Sequence, residues 1–281
     1  MIWFGAGAWP DIMSAMIQPP LHDRIVLVTG ASSGIGEAVA RAAAAGGARL
    51  VLNARRGERL DALARELTED SSGDRAVCVA GDAADDDVIR AMFDTPLAKF
   101  GKEPDAVIVN AGRGLKGSVL DSDITQWESM VRTNLIGAAK LMREAARRMI
   151  ARLDASQSGG ESWVNTPRDI VCLGSVVGRH ISPFSSMYGS TKFGVHSLGE
   201  ALRREVGPKG IRVSVIEPAI VRSEFQEVAG YDAAGFGAFM EKIGPVLEPS
   251  DVGQLIASIL TLPARVNIAD VVIRPTRQDY P

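Results

Sequence analysis

Cysteine and aromatic rings are scarce in this chain, and it has no excess of basic charge. Two cysteines, Cys78 and Cys172, occur in 281 residues. They lie far apart in apolar runs, and no CxxC or comparable ligand spacing exists. Both therefore read as reduced core residues of a cytoplasmic protein without a metal site. The 31 Lys+Arg against 34 Asp+Glu leave a net charge of −3, which lacks the footprint of a nucleic-acid binder. No run approaches the roughly 18 apolar residues needed to span a bilayer, so no membrane is expected as a partner. The apolar stretch Met1–Ile17 has no basic n-region and carries Pro10 and Asp11, which argues against a signal peptide. Residues 1–21 are expected to be a leader. Three readings stand: a disordered segment, an early start codon with Met13 or Met16 as the true start, or a segment packed on a neighbour. The 8 Phe, 4 Trp and 3 Tyr are too few to build a core. Val, Ile, Leu and Ala must do so, and the positions of the aromatics become informative.

What is present alternates. Apolar runs at Arg24–Thr29, Arg49–Asn53, Arg75–Ala80, Asp105–Asn110, Asp169–Leu173, Ile211–Ile216 and Val266–Ile273 read as seven strands. Helical patterns at Ile35–Gly46, Glu58–Leu67, Asp85–Phe100, Asp123–Ile150, Met187–Val206 and Pro249–Leu262 separate them. Near-continuous apolar strands are buried on both faces. Strands joined through helices form right-handed βαβ units and a parallel sheet. The expected fold is α/β: a Rossmann-type, doubly wound, seven-stranded parallel sheet with helices on both faces. One series fills the length, so residues 22–281 are expected to form one domain, although about 150 residues per domain would suggest two. Two segments interrupt the rhythm. The polar, Gly/Ser-rich Asp154–Pro167 enters the fifth strand at its amino end, away from where such sheets bind ligands. An insertion at about 222–248 follows the carboxyl end of the sixth strand, over the expected site.

Thr29–Gly36 reads TGASSGIG between the first strand and the first helix. Gly30 suits a tight turn, Gly34 lets backbone approach a pyrophosphate, and Gly36 permits close helix–strand packing. The helix start at Ile35 offers free N–H groups and a positive dipole end. The second strand ends in Asn53-Ala54-Arg55-Arg56. An acidic residue there would hold the ribose 2′-hydroxyl of NAD, whereas arginine accommodates the 2′-phosphate of NADP. NADP(H) is thus favoured over NAD(H), with Arg55 the main ligand, Arg56 assisting and Ser32 or Ser33 adding a hydroxyl. At the end of the third strand Asp82 has two readings, an acceptor for an adenine amino group beside the Ala83 N–H, or a helix N-cap. Asn110-Ala111-Gly112 ends the fourth strand.

Tyr188 and Lys192 stand four residues apart in a helical segment and share a face. A nearby cation favours the phenolate and lowers a tyrosine pKa toward the range useful in acid–base catalysis. Ser175 ends the fifth strand at the same edge, and Asn134 lies in the long helix after the fourth. In this order and approximate spacing, TGASSGIG, Asn110-Ala111-Gly112, Asn134, Ser175 and Tyr188-xxx-Lys192 resemble the classical short-chain dehydrogenase/reductases over about residues 22–275. The resemblance implies an oxidoreductase that passes a hydride between nicotinamide and a carbonyl or secondary alcohol. Tyr188 would be the proton donor in reduction and the base in oxidation. Lys192 would bind the nicotinamide ribose and lower the Tyr188 pKa. Ser175 would orient the substrate oxygen, and Asn134 would hold a water linking Lys192 to solvent. Pro218, Val221 and Ser223 would meet the nicotinamide, with Ala219 standing where the family has glycine and Val109 where it often has asparagine. The resemblance also implies a homotetramer or homodimer paired through the two long helices. The tail Leu262–Ile268 followed by Val271–Tyr280 is similar to a subgroup of that family including the clavaldehyde reductases and hydroxy-acid dehydrogenases. A catalytically silent NADP-binding regulatory protein is the alternative.

Four of the fifteen aromatics, Phe225, Tyr231, Phe236 and Phe239, fall in one insertion with several glycines. They suit a lid that closes over a small-molecule substrate and excludes water. Phe184 is expected to line the same pocket. His180 either joins it or is an exposed loop histidine.

Overall fold

The computed structural model describes residues 20–69, 75–156 and 163–279, and side chains throughout these except at 155–156, 233–236 and 239. Seven strands form one sheet: β1 (Ile25–Thr29), β2 (Arg49–Ala54), β3 (Ala76–Ala80), β4 (Ala106–Val109), β5 (Arg168–Leu173), β6 (Ile211–Pro218) and β7 (Asp270–Ile273). Their order is β3-β2-β1-β4-β5-β6-β7, and every pairing is parallel. The chain winds outward from β1 in one direction, then returns to β4 and winds outward in the other. The crevice between the carboxyl ends of β1 and β4 is where such sheets hold ligands.

The helices are α1 (Gly34–Ala45), α2 (Gly57–Glu69), α3 (Asp86–Phe100), α4 (Trp127–Val131), α5 (Ala138–Ser156), α6 (Ser186–Val206), α7 (Phe225–Val228), α8 (Ala233–Ile243) and α9 (Pro249–Leu260). Alternation along the strands divides the core. Val26, Val28, Leu50 and Leu52 face α1, α2 and α9 with Val39, Leu60, Val252 and Ile256. Ile25, Leu27, Val51 and Val107 face the other layer with Met92, Phe93, Met142, Met149 and Val195. Phe93 is the one aromatic among the largest fully buried side chains, as an aliphatic core requires. Gly253 lets α9 press on α1, because a Cβ there would come within 2.7 Å of the Ala38 carbonyl.

Three expectations need correction. Helix Asp123–Ile150 is interrupted: a 3₁₀ turn at Ile124–Gln126 leads into α4, then a π-helical segment, Arg132–Gly137, joins α4 to α5. Seventh strand Val266–Ile273 begins four residues late, at Asp270. Asn267 substitutes its side-chain amide for strand pairing, accepting from Val213 N at 2.9 Å and donating to Val213 O at 3.2 Å. Residues 1–19 of the leader lie outside the described residues. Leu21 belongs to the domain: it is 1% exposed, and its N–H donates to Gly46 O at 2.7 Å. Most of the 154–167 loop also lies outside the described residues. Among the described residues no helix is long and apolar enough to cross a membrane, and no His, Cys, Asp or Glu cluster could hold a metal. Both cysteines are free thiols.

At the amino edge of the sheet, remote from the crevice, Asp169 is buried between two guanidiniums. It accepts from Arg24 Nη2 at 2.6 Å and from Arg212 Nε and Nη2 at 2.7 and 2.9 Å. Arg24 and Arg212 also donate to the Leu260 and Leu262 carbonyls, tying α9 and its exit to the strands.

Candidate active site

The carboxyl edge opens into a groove of about 1350 Å³, larger than the roughly 300–1,000 Å³ of ordinary ligand pockets. The glycine turn forms one wall. Gly30 has φ +69°, a left-handed conformation that disfavours a side chain. A Cβ on Gly36 would stand 2.6 Å from Asn110 Nδ2, so glycine is needed where α1 meets the end of β4. Ser33 occupies the N-cap position of α1 without its side chain capping the helix, so that hydroxyl leaves the first-turn N–H groups facing the groove unclaimed. Ser32, Ser33, Gly34 and Ile35 line the groove beside them.

At the β2 end, Arg55 lines the groove and has no hydrogen-bond or ion-pair partner among the described residues. Arg56 is engaged: Nε and Nη2 donate to Ser32 Oγ at 3.2 Å and Ser33 Oγ at 2.7 Å, and Nη1 donates to Glu224 at 2.9 Å. Arg59 donates to the other Glu224 oxygen at 2.8 Å. These two guanidiniums pull the Glu224 pKa down to about 2. Asn53 is buried, and its Oδ1 has no partner. Asp82 is not a helix cap. Asp85 caps α3, accepting from Asp87 N and Val88 N, while Asp82 accepts from Ala84 N and faces Arg132 across the groove at 3.4 Å. Ala83, Ala111 and Gly112 line the same wall.

Thr29, the first residue of the TGASSGIG stretch, knits the crevice. Its hydroxyl donates to Ile108 O at 3.1 Å and accepts from Asn110 N at 3.0 Å and Ala111 N at 3.1 Å. Asn110 Nδ2 returns a bond to Thr29 O at 2.8 Å. Asn110 thus clamps β4 to β1. Asn134 is 2% exposed and sits in the π-helical segment, a distortion common at functional sites. Its side chain accepts from Arg113 N at 2.8 Å and donates to Arg113 O at 2.8 Å and Thr191 Oγ1 at 3.1 Å.

Tyr188 and Lys192 project from α6 toward Ser175 at the end of β5. The Ser175 hydroxyl faces both the Tyr188 phenol and, at 3.4 Å, Pro218 O, and its single proton serves one of these acceptors at a time. Lys192 is 7% exposed; Nζ lies 5.8 Å from the Tyr188 ring centroid and donates to Leu173 O at 2.6 Å. The expected lowering of the Tyr188 pKa is absent. Burial pushes the phenol upward, and the Ser175 hydrogen bond offsets only part of this. Burial also lowers the Lys192 pKa to about 8. Desolvation is the largest influence on both groups: Lys192 is buried, and Tyr188 is half-buried in the groove wall. The phenol therefore stands as a neutral acid. Ala219 fits where glycine was expected, since Asp23 alone among described non-glycine residues has positive φ.

Over Tyr188 lies the segment following β6. The Phe225 ring is 5.4 Å from the Tyr188 ring. Gln226 braces the segment, donating to Val221 O at 2.7 Å and accepting from Ser223 N at 3.3 Å. Pro218, Val221, Ser223, Phe225, Tyr231 and the 74%-exposed Phe184 all line the groove. Lys242 and Arg277 line it too, so its mouth is not purely apolar. His180 does not line it, although Val177 and Ser182 on either side do. The side chains of Phe236 and Phe239 lie outside the described residues. Glu224 and Thr29 act through pairings distant in sequence, which no local pattern announced, whereas the bonds of Gln226 are local.

Known proteins resemble this chain in sequence and in fold. The family model described as short chain dehydrogenase matches residues 24–233. Sulfoacetaldehyde reductase 2 of Chromohalobacter salexigens is 34% identical over 258 residues, 91% of this chain and 96% of its own. An uncharacterised oxidoreductase of Staphylococcus aureus (strain MW2) is 30% identical over 255 residues, 91% of this chain and 98% of its own. Among solved structures, the closed form of a serine dehydrogenase complexed with NADP+ superposes with a TM-score of 0.79 at 29% identity, covering 91% of this chain and 96% of that one. The chain belongs to the short-chain dehydrogenase family and is an oxidoreductase with the Rossmann-type fold of that family.

Proposed function

We propose that the protein is an NADP(H)-dependent carbonyl reductase, reversible as an alcohol dehydrogenase. The convergence of Ser175, Tyr188 and Lys192 at the carboxyl edge of β5, inside a dinucleotide-sized groove, carries this reading. The groove fits the cofactor. Its glycine turn leaves no room for a Cβ at Gly36, the α1 N-terminus is uncapped by Ser33, and Arg55, without a partner among the described residues, stands where a 2′-phosphate would lie. Asp82 and Ala83 would take the adenine, and Pro218, Val221 and Ser223 the nicotinamide.

When bound, the nicotinamide supplies the hydride. The chain supplies the rest. Ser175 donates to the substrate oxygen and polarises the carbonyl. Tyr188, held neutral by burial, delivers its proton to that oxygen as charge develops there. Lys192 stabilises the phenolate left behind and holds the nicotinamide ribose. Asn134 spends its side chain on Arg113 and Thr191, which leaves the backbone of the widened π-turn to hold a relay water. The 222–248 insertion, with Phe225 and Tyr231, closes over the substrate and excludes water. The substrate is a small carbonyl or alcohol, consistent with the activities named for the sulfoacetaldehyde reductase and serine dehydrogenase relatives. Ile136 in the π-helical segment and Phe193 on α6, apolar and 46% and 42% exposed, support a homotetramer or homodimer, and the free thiols Cys78 and Cys172 fit a cytoplasmic protein.

The test is turnover of small aldehydes, ketones and secondary alcohols with NADPH, NADP+, NADH and NAD+. Carbonyl-dependent NADPH oxidation exceeding that of NADH is expected. A protein that binds NADPH tightly and reduces none of the panel would instead fit a silent regulatory relative.

A further inference from the structure

Ser175 is flanked by Gly174 and by Gly178 one turn on. A Cβ on Gly174 would collide with Nε2 of His196, and one on Gly178 would stand 2.6 Å from the same atom. Both positions are bare where the imidazole lies. His196 follows Lys192 by one helical turn, so α6 presents both to the end of β5. Its Nε2 accepts from the backbone N–H of Ser175 at 3.1 Å. That bond requires an unprotonated Nε2 and places the ring proton on Nδ1.

The far side of the ring is also built. Nδ1 lies 3.9 Å from Glu217 Oε1, whose side chain is 2% exposed on β6. Arg179 grips both Glu217 oxygens at 2.7 Å and reaches Asp270 on β7 at 3.0 Å. The charged groups facing the imidazole are therefore Glu217 and Asp270, which favour its protonation, and Lys192 and Arg179, which oppose it. Burial opposes it further, and the imidazole pKa sits below its ordinary value.

We propose that His196 is a positioning residue for the carbonyl reaction: its neutral Nε2 holds the Ser175 backbone and so fixes where the Ser175 hydroxyl meets the substrate oxygen. The inference rests on the reading of Ser175 as the group that orients substrate. Ser175 begins the 3₁₀ turn Val176–Gly178, and its hydroxyl spans Tyr188, Pro218 O and Val177 N. Without the Nε2 acceptor the Ser175 N–H loses its partner and the turn is free to shift. A shift of about 1 Å at such a group reduces turnover by roughly 100-fold. Protonating His196 replaces the acceptor with a donor and has the same effect.

The test compares His196→Gln, which keeps an acceptor at the Nε2 position, with His196→Leu, which removes it. His196→Leu is expected to lose about 10- to 100-fold in kcat with NADPH affinity unchanged by nucleotide fluorescence. His196→Gln is expected to recover most of the loss and to lack the acid limb of the wild-type kcat profile below pH 6.5. Equal losses in both variants, or the same acid limb in His196→Gln, would overturn the proposal. Imidazole ¹⁵N spectra of the wild-type protein add a readout independent of turnover. A bare Nε2 at pH 7 and slow exchange of the Ser175 amide support it, and a protonated Nε2 refutes it. If no carbonyl is reduced, the reductase reading fails, while the ¹⁵N spectrum still decides whether His196 holds Ser175.

Discussion

Lys192→Met isolates the tension between stability and activity at this site. Burial lowers the Lys192 pKa from 10.5 to about 8. The folded protein therefore disfavours the ammonium relative to the unfolded chain. At about 1.4 kcal/mol per pH unit, a fall of about 2.5 destabilises the folded state by ~3 kcal/mol below pH 8. Between pH 8 and 10.5 the unfolded chain binds more protons than the folded one. Stability then rises with pH, and the burden of the charge disappears as the ammonium is lost from both states. Methionine keeps the bulk of the stem and removes the charge. It also strips Leu173 O of its 2.6 Å donor, a loss of about 1.5–3 kcal/mol for a charged bond. At pH 7 the variant is expected to match or exceed wild type by up to about 1.5 kcal/mol, the difference of those two terms. The pH dependence is the firmer quantity. Wild type should gain ~3 kcal/mol on the variant between pH 7.5 and 10.5. Urea unfolding at half-unit pH steps measures this through the midpoint, with unchanged slope confirming comparable folds. Carbonyl turnover should be lost at every pH. A stability difference flat across that window would refute the burial argument for Lys192.

Two further predictions concern the two edges of the sheet. Asp169→Asn leaves two buried guanidiniums facing a neutral amide and should destabilise by about 3–5 kcal/mol, with cofactor affinity of the folded protein unchanged because the groove lies at the opposite edge. Loss of NADPH affinity without loss of stability would contradict that placement. Arg55→Ala should raise the NADPH KM by about 10- to 100-fold, the effect of one charge-assisted phosphate contact of roughly 1.5–3 kcal/mol, and leave the NADH KM unchanged. Parallel losses for both cofactors would remove the 2′-phosphate from Arg55.

The sheet was legible because both-sided burial writes itself into local runs such as IVLVT and AVIV, and parallel crossovers restrict topology. The glycine turn and the Tyr188/Lys192 pair were legible for the same reason: each is a local spacing. Effects set by tertiary environment were not. The Tyr188 pKa was expected to fall beside Lys192, yet burial, which no spacing encodes, raises it. Strand β7 starts late because one side chain, Asn267, takes the place of strand backbone. The π-turn at Asn134 interrupts a stretch whose periodicity read as continuous helix. Glu224 joins the lid segment to Arg56 and Arg59 across more than 160 residues, a pairing that no local spacing encodes. His196 was the nearest miss. It lies one turn beyond Lys192, and its partner glycines bracket Ser175, but only the fold shows that these gaps meet one ring.

The central claim, hydride delivery with Tyr188 as the proton donor, is tested most directly by isotope transfer. Wild type and Tyr188→Phe are incubated with NADPH carrying deuterium at both nicotinamide C4 positions and a carbonyl that wild type reduces, and the product alcohol is analysed by mass spectrometry and NMR. One deuterium at the carbinol carbon is predicted for wild type, with formation slowed by at least about 100-fold in Tyr188→Phe while NADPH binding persists. Unlabelled product, or labelled product formed at an undiminished rate by Tyr188→Phe, would contradict the account.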